Sequence, residues 1–207
     1  MKVKKRLDVL LTERNLADSR SKAQAVIMSG LVYVDGQKAD KPGVSYEETV
    51  DIEVRGAACP YVSRGGLKLA KALRDFGVDP TGFVCSDSGA STGGFTDVLL
   101  RGGAAKVVAL DVGHGQLDPR IANDEHVIEM SGVNIREVEA DDLPYRPAMI
   151  VSDVSFISLT YVIPVIARIA APGAQIVLLV KPQFEVGRAG LGKNGIVEDP
   201  ALRERAL

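Results

Sequence analysis

Cysteine is nearly absent: only Cys59 and Cys85 occur in 207 residues, with no CxxC spacing. That excludes a disulfide scaffold and a thiolate zinc site, and it fits a reducing compartment, so a cytoplasmic protein is expected. Histidine is just as scarce. His114 and His126 are too far apart for a metal cluster, and no metal is expected. The start, MKVKKRLDVLLTERN, is basic but lacks the apolar core of a secretion signal. The longest apolar stretch, 161–180, is broken by Pro164, Arg168 and Pro172, so no membrane span is expected. What remains, 46% hydrophobic and 25% charged, reads as a globular chain with one sizeable core and room for a small second domain.

The net charge of −2 hides an asymmetry. Residues 1–25 hold Lys2, Lys4, Lys5, Arg6, Arg14, Arg20 and Lys22 against Asp8, Glu13 and Asp18, seven against three, a surplus of four. A basic patch at one end lets a chain bind polyanions without being basic throughout; the alternative is a solvated helix face.

In RLDVLLTERNL, 6–16, Leu7, Leu10 and Leu11 share a helical face, with Leu16 helping to close the end. A second helix is expected to be capped by Ser19 and stopped by Gly30, with Ala23, Val26 and Ile27 inward and Arg20, Lys22 and Gln24 outward or at the rim. LVYVDGQKA then reads as a hairpin around Asp35-Gly36, and VDIEV, 50–54, as another strand. This succession, with RLDxxL, SRxxAxxxIxxGxVxVxG, KPG and DIxV over 6–54, resembles an S4-type RNA-binding domain. The resemblance implies that Arg6, Ser19, Arg20, Lys22 and Gln24 face structured RNA, largely through phosphates and shape, with Lys4, Lys5 and Arg14 adding charge. The competing reading is a small domain that only packs on its neighbour.

In SDSGASTGGFTDVLL, 86–100, a strand over 82–87 runs into a glycine-rich turn, with a helix under way from Thr96. Such a turn aims backbone amides at a ligand beyond the carboxyl end of a parallel sheet. A P-loop is excluded because Phe95-Thr96 follow Gly94 where Lys-Ser/Thr is needed, and this turn holds no GxGxxG. DxGxxxGGF instead resembles motif I of the S-adenosylmethionine-dependent methyltransferases. The resemblance places Gly89, Ser91, Gly93, Gly94 and Phe95 along the cofactor, with glycines clearing space for its amino-acid end, and aims Asp87 at its ammonium group. The next strand, AKVVALD, ends in Asp111, whose carboxylate can accept both ribose hydroxyls. Asn134, after a third strand over 126–132, is expected near the adenine.

Asp153 and Lys181 each end a β-rich apolar run, where open α/β sheets collect their active sites, and Lys68 stands in YVSRGGLKL. Two lysines around one aspartate can hold a ribose hydroxyl and favour proton release from one amine; a structural ion pair is the alternative. In order and context, Lys68, Asp153 and Lys181 match the first three members of the K-D-K-E tetrad of FtsJ-type ribose 2′-O-methyltransferases. With an S4 domain ahead, the chain resembles the TlyA/hemolysin A family. That implies a Rossmann-like α/β fold, S-adenosylmethionine as cofactor, and transfer of a methyl group to a cytidine ribose of ribosomal RNA, free or in ribosomal subunits. The expected division is 1–57 S4 domain, 58–66 linker and 67–207 methyltransferase domain.

One departure stands out. Five strands are read where the family's sheet has seven, and Glu185, Glu198 and Glu204 follow Lys181 too closely to be the fourth tetrad residue. A chain stopping short of that residue is expected, with 187–197 as a mobile loop near the substrate. Other classes stay open: an RNA-binding protein that keeps the cofactor fold without catalysis, and a membrane-active hemolysin.

Overall fold

The computed structural model describes residues 4–55 and 59–207, without the side chains of Ala189 and Lys193. Lys2 of the basic end and residues 56–58, where the first domain is expected to end and the linker to begin, lie outside the described residues. The chain divides into two compact units, one up to Pro60 and one from Tyr61 onward.

The first unit runs β1 (Lys4–Arg6), α1 (Leu7–Glu13), α2 (Arg20–Met28), β2 (Val32–Val34), β3 (Gln37–Ala39), β4 (Ser45–Glu47) and β5 (Ile52–Val54). Leu7, Leu10 and Leu11 are buried against Ala23, Ile27, Val32 and Val34, the i, i+3, i+4 stripe of a helix over a half-buried strand. Ser19 is extended, and its Oγ accepts the Lys22 amide at 3.2 Å, capping α2. Asp35 and Gly36 both take positive φ, 47° and 78°, as the two-residue turn of a right-twisted hairpin requires. Two features depart from the local pattern. Leu16 is 38% exposed, because α1 ends at Glu13 and Asn15 turns the chain at φ 56°. Lys4–Arg6 forms a strand paired antiparallel with β4, which three basic residues give no local reason to expect.

The second unit runs α3 (Gly65–Phe76), β6 (Val84–Ser88), α4 (Gly94–Arg101), β7 (Lys106–Asp111), α5 (Pro119–Ala122), β8 (Val127–Ser131), β9 (Met149–Ser152), α6 (Leu159–Ile169), β10 (Gln175–Leu178), α7 (Pro182–Glu185) and α8 (Pro200–Arg205). The five strands form one parallel sheet in the order β10-β9-β6-β7-β8. The chain moves outward from β6 through β8, then returns to place β9 on the other side of β6. That reversal leaves a crevice at the carboxyl ends of β6 and β9. One face packs Leu69, Leu73, Phe95, Val98 and Leu99; the other packs Val162, Val165, Ile166 and Ile169 of α6. Helix α6 continues through Pro164.

Residues 61–66 are packed rather than spacing. The Val62 amide donates to Asp97 Oδ2 at 2.8 Å, and Tyr61 packs on the core containing Leu69. The segment 187–197 holds two short 3₁₀ turns, Arg188–Gly190 and Lys193–Gly195. Among the described residues no helix is long and apolar enough to cross a membrane.

Candidate active site

The crevice collects the three residues singled out in the sequence. Asp153 follows β9, Lys181 lies just before α7, and Lys68 projects from the first turn of α3. Lys68 Nζ lies 2.9 Å from Asp153 Oδ2, and Lys181 Nζ lies 2.6 Å from Asp153 Oδ1. The Lys181 ammonium also donates to Ser155 Oγ at 2.7 Å and to the Asp153 carbonyl at 3.2 Å. Ser155 carries no sequence signal beyond lying two residues after Asp153. Only 17% of the Lys181 side chain is exposed, against 51% for Lys68, so Lys181 is the sheltered member. One carboxylate thus contacts two ammonium groups beside a cavity of about 310 Å³ lined also by Ser63, Gly65, Ala90, Thr92 and Phe95.

A second cavity of about 450 Å³ shares Gly89, Ser91, Asp153 and Ser155 with the first. Its walls are mainly aliphatic, from Leu110, Val112, Val133, Ile135, Val154 and Ile157, with Asp111, Gln116 and Asn134 among its polar members. Asp111 Oδ2 accepts the Ser91 amide at 2.7 Å and Oδ1 the Gly113 amide at 2.8 Å. The carboxylate is thereby fixed in orientation, and each oxygen keeps acceptor capacity. Asn134 caps the turn Ile135–Glu137 and donates to Glu137.

The glycines serve more than ligand clearance. Gly89 takes φ 85°, and a Cβ there would come 3.2 Å from the Val154 backbone, where β6 and β9 diverge. Gly93, at φ 88°, lines neither cavity; its Cβ would meet Leu117 and Ile121 at 3.1 Å. Gly94 opens α4, two residues earlier than expected, and a Cβ there would press on Ser63 and the Gly66 amide. At Gly93 and Gly94 the demand therefore comes from backbone conformation and from neighbouring chain.

Asp87 is fully buried and accepts Thr96 Oγ1 at 2.7 Å through Oδ2, while Oδ1 is without a hydrogen-bond partner. Burial pushes its carboxyl up to about 7, opposed by the Thr96 hydrogen bonds. A raised carboxyl keeps its proton in the fold above the pH at which the unfolded chain loses it. Stability is therefore expected to fall as pH climbs from about 4 to about 7. The Asp87→Asn protein should lack this slope, so its stability should gain on the wild type between about pH 5 and pH 8 in urea titrations. A constant difference across that range would place an ionised Asp87 in the fold throughout.

Glu185 is occupied elsewhere: Oε1 accepts the Leu159 amide at 2.9 Å and Oε2 accepts Ser158 Oγ at 2.6 Å, closing the start of α6.

In the first unit, the residues expected to face RNA have internal partners. Lys5 pairs with Glu13 and Glu48, Lys22 with Asp18, and Arg14 donates to the carbonyls of Val50 and Glu48. Arg6, Arg20 and Gln24 converge on Asp8, a buried acid whose only sequence signal is its place between core leucines. Lys4 is exposed on β1.

Comparison with known proteins agrees with this architecture. The model of the FtsJ-like methyltransferase family matches residues 61–207, and that of the S4 domain matches residues 5–50. The chain is 46% identical over 205 residues to YqxC of Bacillus subtilis, whose name provisionally assigns it as an rRNA methyltransferase, covering 99% of this chain and 73% of that one. It is 44% identical over 203 residues to the 16S/23S rRNA (cytidine-2′-O)-methyltransferase TlyA of Mycobacterium tuberculosis, covering 98% of this chain and 76% of that one. Among solved structures, a Streptococcus thermophilus protein whose name carries the word hemolysin matches with a TM-score of 0.75 at 42% identity, over all of this chain and 76% of that one.

Proposed function

This chain belongs to the FtsJ-like methyltransferase family, in the form with an S4 domain ahead of the catalytic unit, and from that premise we propose that it transfers a methyl group from S-adenosylmethionine to a cytidine ribose 2′-hydroxyl of ribosomal RNA. The observation that carries the reading is the Lys68–Asp153–Lys181 array beside the glycine turn. The place of action is the cytoplasm, where ribosomal subunits are found.

The residues present suit the cofactor. The aliphatic cavity accommodates a nucleoside face, Asp111 has acceptor capacity for ribose hydroxyls, and Gly89, with no side chain, lines both cavities. Ser91, Phe95 and Asn134 line the two cavities around it, and Asp87 lies behind the turn. When bound, the cofactor supplies an electrophilic methyl group. The chain's own task is to orient the hydroxyl and remove its proton. Lys181, as the free amine, accepts the proton on Nζ and becomes an ammonium ion beside Asp153 Oδ1. Asp153 orients that nitrogen and balances its new charge, while Lys68 holds the other carboxylate oxygen and contacts the acceptor.

Asp111→Ala should weaken cofactor binding by about 1–3 kcal/mol, through unpaired hydroxyls and the loss of a charge-assisted bond. Titration calorimetry on the folded variant measures it, and unchanged affinity would remove Asp111 from the site. The reading as a whole is tested by incubating the protein with isolated small and large ribosomal subunits and methyl-labelled cofactor, then mapping the label. Label on a cytidine ribose supports it; label on a base, or none with bound cofactor and RNA, overturns it.

A further inference from the structure

Asp8 is the fully buried acid of the first unit, lying within the Leu7–Leu10–Leu11 face of α1. A sealed carboxylate is strongly destabilising unless its charge is met. Arg6 meets it with Nε on Oδ1 at 3.0 Å and Nη2 on Oδ2 at 2.9 Å. Arg20 Nε and Gln24 Nε2 then reach the same Oδ2 at 3.0 and 2.7 Å. One cation would balance the charge, yet two are supplied, from β1 and from the first residue of α2. The arginine side chains remain 46% and 55% exposed, so the cluster's surplus positive charge lies at the surface. Asp8 takes two N–H groups of Arg6 and one of Arg20, leaving the other donors of both guanidiniums to a further acceptor. The neighbouring Lys5 and Lys22 are matched by carboxylates on the surface.

We propose that Asp8 is the positioning residue of a two-arginine phosphate site: its carboxylate holds the Arg6 and Arg20 guanidiniums side by side, so that their remaining donors close on a phosphodiester group of RNA. This rests on the reading of the unit as RNA-binding. A planar guanidinium suits phosphate oxygens, and fixing two flexible side chains beforehand removes part of the ordering cost of binding. The Arg6 hydrogen bond, ahead of those from Gln24 and Arg20, holds the Asp8 carboxyl well below the usual carboxylate range, which keeps the clamp charged at neutral pH.

The test uses the full chain, a labelled RNA hairpin and isolated ribosomal subunits. Removing a negative charge near a polyanion would by itself tighten binding, whereas loss of orientation weakens it, so the sign decides. Asp8→Asn should bind about fivefold or more weakly, and the slope of log affinity against log salt should shrink by about one unit, which mere destabilisation of a folded protein would not change. Equal or tighter binding overturns the proposal. Should Asp8→Asn fail to fold, Arg6→Lys with Arg20→Lys keeps the charge but not the forked geometry; it should weaken binding as well, and wild-type affinity would overturn the proposal. Arg6→Ala with Arg20→Ala separates the layers. If that protein binds as the wild type does, the RNA-binding reading of this surface falls; if it weakens while Asp8→Asn does not, only the positioning role falls.

Discussion

Lys181→Ala is expected to slow single-turnover methyl transfer by about 10²-fold or more while leaving cofactor affinity nearly intact, the size of a lost general base. A ribose hydroxyl is a weak nucleophile near neutral pH, so its proton must leave to a positioned acceptor as the oxygen bonds to carbon. Lys181 is the sheltered amine of the site, fixed by Asp153 Oδ1 at 2.6 Å, by Ser155 Oγ at 2.7 Å and by the Asp153 carbonyl at 3.2 Å. Lys181→Arg should fail as well, because a guanidinium keeps its proton at working pH and its planar fork does not match these acceptors. Rapid-quench measurements on ribosomal subunits read all of this, and a Lys181→Ala rate close to wild type would take the lysine out of the base role.

The second large effect is structural in origin and catalytic in consequence. Gly94→Val should cost the second unit about 2–3 kcal/mol and lower its Tm by roughly 5–10 °C, as overpacking a tight contact does. At this position even a Cβ would stand only 3.0 Å from the Gly66 amide, besides pressing on Ser63. The Gly66 contact is with the backbone of α3, which cannot rotate away. The helix must move, and Lys68 stands two residues beyond Gly66, bonded to Asp153 at 2.9 Å. Turnover should therefore fall beyond what the lost stability explains, even at temperatures where the variant is fully folded. Circular dichroism melting paired with activity measured well below the transition separates the two. A variant that melts early but transfers methyl at the wild-type rate would uncouple α3 placement from catalysis.

What the sequence made legible was local. Asp35-Gly36 declares its turn because two positive φ values in succession admit few residues. Ser19 declares a cap because a hydroxyl before a helix can satisfy a free amide. The apolar runs ending in Asp111, Asp153 and Lys181 mark the carboxyl ends of parallel strands, and all three residues lie at the two cavities. The unread features depend on partners that other elements supply. Lys4–Arg6 becomes a strand only through residues 45–47. Asp8 is tolerated inside a core only because Arg6, Arg20 and Gln24 arrive from other elements. The glycines illustrate the boundary: their presence is plain in the sequence, whereas the demand at Gly93 and Gly94 is set by Leu117, Ile121 and Gly66.

The Lys68–Asp153 contact joins residues 85 positions apart. Bringing such distant points together costs on the order of 4 kcal/mol of chain entropy before any local reward, by the logarithmic dependence on loop length. The cost is met by the pairing of β9 beside β6, on the flank opposite β7 and β8. Catalytic competence thus depends on the β9–β10 half of the sheet being in place. Conditions that loosen the β9–β10 edge should silence the enzyme while β6, β7 and β8 still protect their amides from hydrogen exchange.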